Sequence, residues 1–402
     1  MNFKSFYFRA AFPIVLFIAL SSIWSCRKAK KSATDSSSET TEQAHMAQQA
    51  LVHRACRFAD SVGIDTSRYA VTTTDAEDVI QTKLTNLLTE IQYGKKPSRL
   101  AFSGLREDRD STKQTAATDA ALRDALEKST TFAPYRQLVA RYNQLRKQTT
   151  NSPALADSLR LIRQTLNFYR YVNRFDADRF VLVNIPAGEL NVYDRAGTRL
   201  LPMQVIAGRW DHQTPCMTTY IKGIVAYPYW NVPKSIVLNE MLPRMQRDLS
   251  YIYNQNLQIL DEKGRELDPE EIDWDGLSTT YFPYRVRQAS GCENSLGLIK
   301  FDLENPLAIY LHDTNSRDLF TRTADRWRSH GCVRVQKPVE LANLMLGKPA
   351  FDAGFMNRCL IDQKPKPLAV PQKVPVFITY NLADVDSTGR LIVYKDVYGL
   401  AK

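Results

Sequence analysis

The sequence predicts an α+β protein: an α-helical scaffold domain, then a mainly β domain interrupted by an inserted helical lid. Three observations predict it. Apolar residues recur at helical spacing over the first part of the folded chain, as in Ile80, Leu84, Leu87, Leu88 and Ile91. From Arg179 onward short β-type runs separated by turn residues replace that pattern. Between Pro233 and Tyr284 those runs give way to a long charged stretch, too long for an ordinary connection.

The elements follow in chain order. Residues 1–25 carry Lys4 and Arg9, then an apolar run from Ala10 to Leu20, which reads as a secretory signal. The run is short for a membrane span. It ends in Ile23-Trp24-Ser25-Cys26, and a small residue before a cysteine at this place is similar to a bacterial lipoprotein signal, in which Cys26 is lipidated. Bulky Trp24 departs from that pattern, and an ordinary cleaved signal and an uncleaved anchor are the alternatives. Residues 26–44 are polar and Ser/Thr-rich, and are expected to form a flexible tether to a folded body that starts near residue 45.

Residues 45–172 are expected to be the helical scaffold. Thr74-Asp75-Ala76-Glu77 has the form of a capping box. Two further stripes follow prolines: Tyr135, Leu138, Val139, Tyr142 and Leu145 after Pro134, and Leu155, Leu159, Ile162, Leu166 and Tyr169 after Pro153. All read as core faces without chemistry. Lys95 to Thr118 is polar and reads as loop. Residues 179–347 form the β domain, opening with three strands broken at Pro186-Ala187-Gly188 and Asp194-Arg195-Ala196-Gly197. The insertion 233–284 is expected to be helical and then loop-like. Residues 348–402 hold a strand pair expected to complete the domain.

Composition narrows the class of function. The net charge is +10, and it stays basic when the signal, which has no acid, is removed. That suits anionic surroundings such as phospholipid or wall polymer. No arginine-rich run interleaved with aromatics points to nucleic acid. Six scattered cysteines make no disulfide framework, and no C-x-x-C pair suggests structural zinc.

One constellation carries chemistry. Ser329-His330-Gly331-Cys332-Val333-Arg334 lies near the end of the β domain in a chain with five histidines, and His312 ends the run PLAIYLHD upstream. A thiol attacks only as thiolate and needs an imidazole or another cationic neighbour. His330 and Cys332 are two apart and would share a strand face, while His312 would come from a neighbouring strand end. Gly331 would let a ligand approach the backbone, whose N–H groups can stabilise an oxyanion. A buried cysteine with two satisfied histidines fits the same spacing. A metal site of His212, Cys216, His312, His330 and Cys332 is a further alternative, without the usual ligand spacing.

HDTNSRDLFTRTADRWRSHGCVRV resembles the active-site signature of the L,D-transpeptidases, the YkuD family. VNIPAGELNVYD, MQVIAGR with QTP, PYWNVPKSI, the run from Arg287-Gln288 to Gly297, and IKF with IYLHDT resemble the long periplasmic branch over roughly residues 170 to 400. The resemblance implies a YkuD-like β-sandwich with scaffold and lid, and no cofactor. It implies a nucleophile, Cys332, and a base, His312, oriented by a backbone carbonyl such as that of Asp313. His330 and Gly331 would line the oxyanion side, and Arg334 would hold the loop or meet a substrate carboxylate. Trp230, Asn231, Asn294 and Gly297 would border the cleft or serve structure only. The implied partners are peptidoglycan stem peptides and carbapenem-type inhibitors, with the membrane reached through Cys26 and the enzyme facing the periplasm. The implied reaction forms 3→3 cross-links. An L,D-carboxypeptidase, an enzyme attaching proteins to the wall, and a non-catalytic wall-binding lipoprotein are the alternatives. Ser290 stands where the family commonly has proline, and Cys216 and Cys292 are unusual. A Cys216–Cys292 disulfide or free buried thiols would both fit.

Overall fold

The computed structural model describes residues 35–107, 118–129, 132–148, 152–359, 363–386 and 388–401. The expected signal, residues 1–25, and the expected lipidation site, Cys26, lie outside the described residues. Residues 47–402 form one compact unit; before it only residues 35–46, the start of the first helix, are described. Among the described residues no helix is long and apolar enough to cross a membrane.

Among the described residues, five α-helices come first: α1 (Asp35–Ser61), α2 (Glu77–Tyr93), α3 (Asp119–Ser129), α4 (Ala133–Arg146) and α5 (Pro153–Val172). The start of α1 corrects the expected tether, since residues 35–44 are helical. Low hydrophobicity argued against a buried core, but helix formation needs none. No Gly or Pro interrupts the run from Asp35 to Ser61. The capping box does not form either. Helix α2 begins at Glu77 after Ala76 with no side-chain cap: Thr74 Oγ1 hydrogen-bonds Thr72 Oγ1 at 3.1 Å instead, and Asp75 accepts from the Thr72 N–H at 3.0 Å. Helix α5 starts as its residues dictate: Ser152 Oγ accepts from the Leu155 N–H at 3.2 Å, with proline at the first turn. The apolar stripes face inward, and Ile80, Leu84, Leu138, Ile162 and Leu166 are fully buried. Arg170 is buried among them, donating to the Val62 carbonyl at 2.8 Å and the Tyr135 hydroxyl at 3.2 Å.

Among the described residues, ten strands make the main sheet. They are β1 (Phe102–Ser103), β2 (Arg179–Asn184), β3 (Glu189–Asp194), β4 (Arg199–Gly208), β5 (Met217–Ala226), β10 (Ile299–Leu303), β11 (Leu311–His312), β12 (Trp327–Ser329), β13 (Val333–Val335) and β14 (Lys366–Thr379). Strand β1 arises inside the stretch expected to be loop and pairs in parallel with β5. The path runs β5-β10-β11-β13-β4-β3-β2-β14 and closes on itself, because β14 also pairs with β5. The C-terminal extension thus supplies the strand that shuts the sheet. A hairpin of β15 (Ala383–Val385) and β16 (Leu391–Val393) follows. The helical region and the sheet share one core: Phe168 and Phe175 lie edge-on to Phe377 of β14 at 6.1 and 5.5 Å, and Phe132 meets Tyr193 at 4.9 Å.

The insertion is more ordered than expected, and partly β. A helical run from Lys234 to Arg247 with a wide π turn at Val237–Met241 leads to the helix Ser250–Asn254. Four antiparallel strands then pair in the order β6 (Trp230–Asn231), β9 (Arg285–Gln288), β7 (Leu257–Leu260) and β8 (Glu266–Leu267). The stretch closes its own small core of Val237, Met245, Ile252, Ile259, Trp274 and Val286. Strands of two to four residues are too short to show alternation, which is why they read as loop.

Candidate active site

The register of three strands builds the site. Strands β10 and β11 pair antiparallel with Lys300 opposite His312 and Phe301 opposite Leu311. Strands β11 and β13 pair in parallel with His312 opposite Arg334 and Leu311 opposite Val333. Side chains alternate between faces along a strand. Phe301, Leu311 and Val333 are therefore one row on the core face, all fully buried. Lys300, His312 and Arg334 are a row on the other face. Two residues along, Asp302, Tyr310 and Cys332 form the next row on that face, and the Val333 N–H bonded to the Tyr310 carbonyl at 3.1 Å keeps the register there. The Tyr310 and His312 rings lie 5.5 Å apart, and Lys300 Nζ sits 4.6 Å over the Tyr310 ring and 2.7 Å from Asp302.

The turn that carries Cys332 is held by hydrogen bonds from Thr214. Residues 330–332 bend between β12 and β13 with Gly331 at φ +113°, a conformation that suits glycine. Thr214 Oγ1 donates to the Gly331 carbonyl at 2.7 Å and accepts from the Gly208 N–H at 2.8 Å. The Tyr398 hydroxyl, from the C-terminal extension, donates to the Gly208 carbonyl at 2.6 Å.

This bend corrects the expectation that His330 and Cys332 share a strand face. The His330 ring turns outward to Glu240 of the insertion, Nε2 to Oε1 2.7 Å, with the His212 ring 5.3 Å away. Cys332 turns to the row of Tyr310. Its Sγ donates to the Ala308 carbonyl at 3.6 Å. The Gly331 N–H is bonded to Ser329 Oγ at 3.1 Å and so is engaged rather than open to an oxyanion.

Electrostatics favour a neutral pair at rest. Cys332 is partly exposed by surface area, yet burial of its sulfur pushes the thiol up to about 11, against the backbone and hydroxyl of Tyr310 and the charge of Lys300, which favour thiolate. His312 is buried, and burial together with the nearby Arg334 guanidinium lowers its pKa to about 3. The Asp313 backbone pulls the other way, and the buried His312 Nδ1 has no partner within hydrogen-bond geometry. No hydrogen bond among the described residues joins His312 to Cys332.

The remaining candidates fall into two groups. Trp230 and Asn231 line a cleft of about 270 Å³ with Lys222, Lys300, Asp302 and Tyr310, beside Cys332 in the same row. The Trp230 indole also acts on the Tyr310 phenol. Asn294 and Gly297 lie under the surface instead. Asn294 is buried and donates to the carbonyls of Pro228 and Ala289 at 3.2 and 2.8 Å. Gly297, at φ +62°, has no room for a side chain: a Cβ would sit 2.1 Å from Asp313 Oδ2. The Asp313 carboxylate accepts from the Leu298 N–H at 2.8 Å and pairs with Arg317 at 2.6 Å. Arg334 is held near Thr314 Oγ1 at 3.5 Å, its Nε buried without a partner.

A second cavity, about 320 Å³, is lined by Lys96, Arg99, Asn167 and Cys216 and shares no residue with the cleft. The cleft carries the site because it adjoins the thiol row. Among the described residues no three His, Cys, Asp or Glu side chains are grouped to hold a metal, so the set of His212, Cys216, His312, His330 and Cys332 is not assembled. The disulfide also differs from the one weighed: Cys292 pairs with Cys359, Cα–Cα 5.0 Å, and Cys216 is a free buried thiol. Sequence spacing could not find a partner 67 residues away. Tyr310, Lys300 and Asp302 were not singled out in the sequence. Tyr310 was findable by stepping two residues back from His312; the other two needed the pairing partner of β11.

Residues 178–376 match the family model of the YkuD L,D-transpeptidase catalytic domain. A Haemophilus influenzae protein, named provisionally as an L,D-transpeptidase, is 35% identical over 268 residues, which is 65% of this chain and 54% of that protein. The match thus spans about half the length of this curated relative. Among solved structures, an L,D-transpeptidase from Mycobacterium smegmatis is 13% identical over 50% of this chain and 59% of its own, with a TM-score of 0.23. The catalytic domain of an E. faecium L,D-transpeptidase acylated by ertapenem is 10% identical over 49% and 98%, with a TM-score of 0.22. Likenesses this weak carry no argument.

Proposed function

The chain belongs to the YkuD L,D-transpeptidase family through its catalytic domain, residues 178–376, and on that premise we propose that it exchanges amide bonds on peptidoglycan stem peptides through a thioester on Cys332. The observation that supports this best is the pair of rows across β10, β11 and β13, which gathers Cys332, Tyr310, His312, Lys300 and Arg334 on one face beside a cleft.

The resting neutral pair sets the order of events. Cys332 loses its proton to neutral His312 as sulfur attacks the carbonyl of the third stem residue. The tetrahedral intermediate collapses, and His312 returns the proton to the departing D-alanine amine. A side-chain amine of a second stem then attacks the thioester, gives up its proton and releases the thiol, leaving a 3→3 cross-link. The amide broken and the amide formed are of similar energy, so no external energy source is required. Arg334, whose Nε lacks a partner, suits an anionic group of the substrate. Anchoring at Cys26 and a periplasm-facing position belong to the same proposal.

Mass spectrometry after incubation with a carbapenem tests it. The wild-type chain should gain one covalent adduct on the peptide that carries Cys332, and Cys332→Ala should gain none while unfolding at an unchanged denaturant midpoint. An adduct retained by Cys332→Ala overturns the assignment.

A further inference from the structure

The insertion meets the nucleophile turn at a single polar point. It has its own apolar core, separate from the main one. At its hinges it is continuous with β6 and β9, and the loop after β9 returns to it through the Ala289 N–H to Asn256 carbonyl bond at 2.9 Å. Away from those hinges, among the described residues, Glu240 to His330 at 2.7 Å is the one hydrogen bond or ion pair between residues 232–287 and the rest of the chain. Glu240 lies in the π turn Val237–Met241, whose wider winding is characteristic of functional positions in helices. His330 lies two residues before Cys332, in the bend pinned by Thr214 and Ser329. The two side chains keep 38% and 32% of their surface exposed, so the pair is weak and reversible rather than a structural ion pair.

We propose that Glu240 is a positioning residue: its carboxylate docks the insertion onto His330 and thereby sets the Ser329–Cys332 turn and covers the thiol. The inference rests on the transpeptidase reading for its purpose, but not for its geometry. Docking would shield the thiol from small solutes and hold the turn for attack. Opening would admit the stem peptides and release the product.

Two readouts test it on the full chain. The first is the rate of Cys332 alkylation by iodoacetamide, followed by peptide mapping so that Cys56 and Cys216 are counted apart. The second is the rate of carbapenem acylation. Glu240→Ala should raise alkylation and lower acylation, each roughly two- to fivefold, the range of a partly exposed pair. Glu240→Gln keeps an acceptor oxygen and should restore most of both rates. Glu240→Ala combined with His330→Ala should match His330→Ala alone, since both act through one contact. Unchanged alkylation in Glu240→Ala, multiplicative effects in the double variant, or a Glu240→Gln protein as impaired as Glu240→Ala would each overturn the latch. A wild-type chain that forms no adduct would overturn the transpeptidase reading instead, while the alkylation series still decides the latch.

Discussion

At the scale of residues, the thiol and the imidazole are held neutral by the same cause, burial, reinforced at His312 by Arg334. Alkylation of Cys332 should therefore be slow at pH 7 and rise with pH past 9 toward a midpoint near the raised thiol value of about 11. A plateau reached below pH 8 would mean a preformed thiolate. His312 gives the opposite signature in stability. Its folded pKa of about 3 lies below the unfolded value of 6.5, so the unfolded chain binds the extra proton between the two. The neutral ring's contribution is whole above pH 6.5 and is lost as pH falls toward 3. Replacing it by glutamine should flatten the fall of urea-unfolding stability across that window, where a tenfold difference in proton affinity between the two states corresponds to about 1.4 kcal/mol. Cys332 and His312 were legible in the sequence as a candidate pair because a thiol and an imidazole are the residue types that nucleophilic chemistry needs. The outward turn of His330 was not legible, because it follows from one glycine dihedral and a partner 90 residues away.

At the scale of elements, the loop before β10 is built around a backbone that excludes a side chain. Gly297→Ala would press a methyl against the Asp313 carboxylate at a positive φ. It should destabilise the fold by roughly 2–3 kcal/mol in urea unfolding. It should also slow carbapenem acylation, since Asp313 adjoins His312. The long helices and the strands from Arg179 were readable because fourteen or more residues at helical period, or six at alternation, average out local exceptions. The stretch 233–284 was legible as an insertion by length alone. Its sheet was not, because its strands depend on partners from both ends of the segment, Trp230–Asn231 and Arg285–Gln288.

At the scale of the whole molecule, closure is the unifying device. Strand β14 shuts the sheet between β2 and β5, its aromatic residue Phe377 meets the first helices, and Tyr398 further on braces Gly208 beneath the turn that carries Cys332. The Cys292–Cys359 disulfide ties the loop behind the insertion to the segment leading into β14. Closing a loop with a sequence separation of 67 stabilises by about 4 kcal/mol in the chain-entropy description. A dithiol reductant should lower the denaturant midpoint accordingly, and Cys359→Ser should be unaffected by it. Equal midpoints with and without reductant would show that the bond adds nothing to the fold.

The amino-acid order by itself determined the two kinds of secondary structure, the place of the insertion, and the thiol and imidazole. Each of these depends on residues close in the chain or on chemistry that only one residue type offers. Tertiary structure alone decided that Lys300 and Tyr310 join that pair, that His330 answers to Glu240, that Cys292 finds Cys359, and that scaffold and sheet share a core. Those outcomes rest on strand register and on contacts between distant segments, and no local pattern encodes which distant segment will arrive.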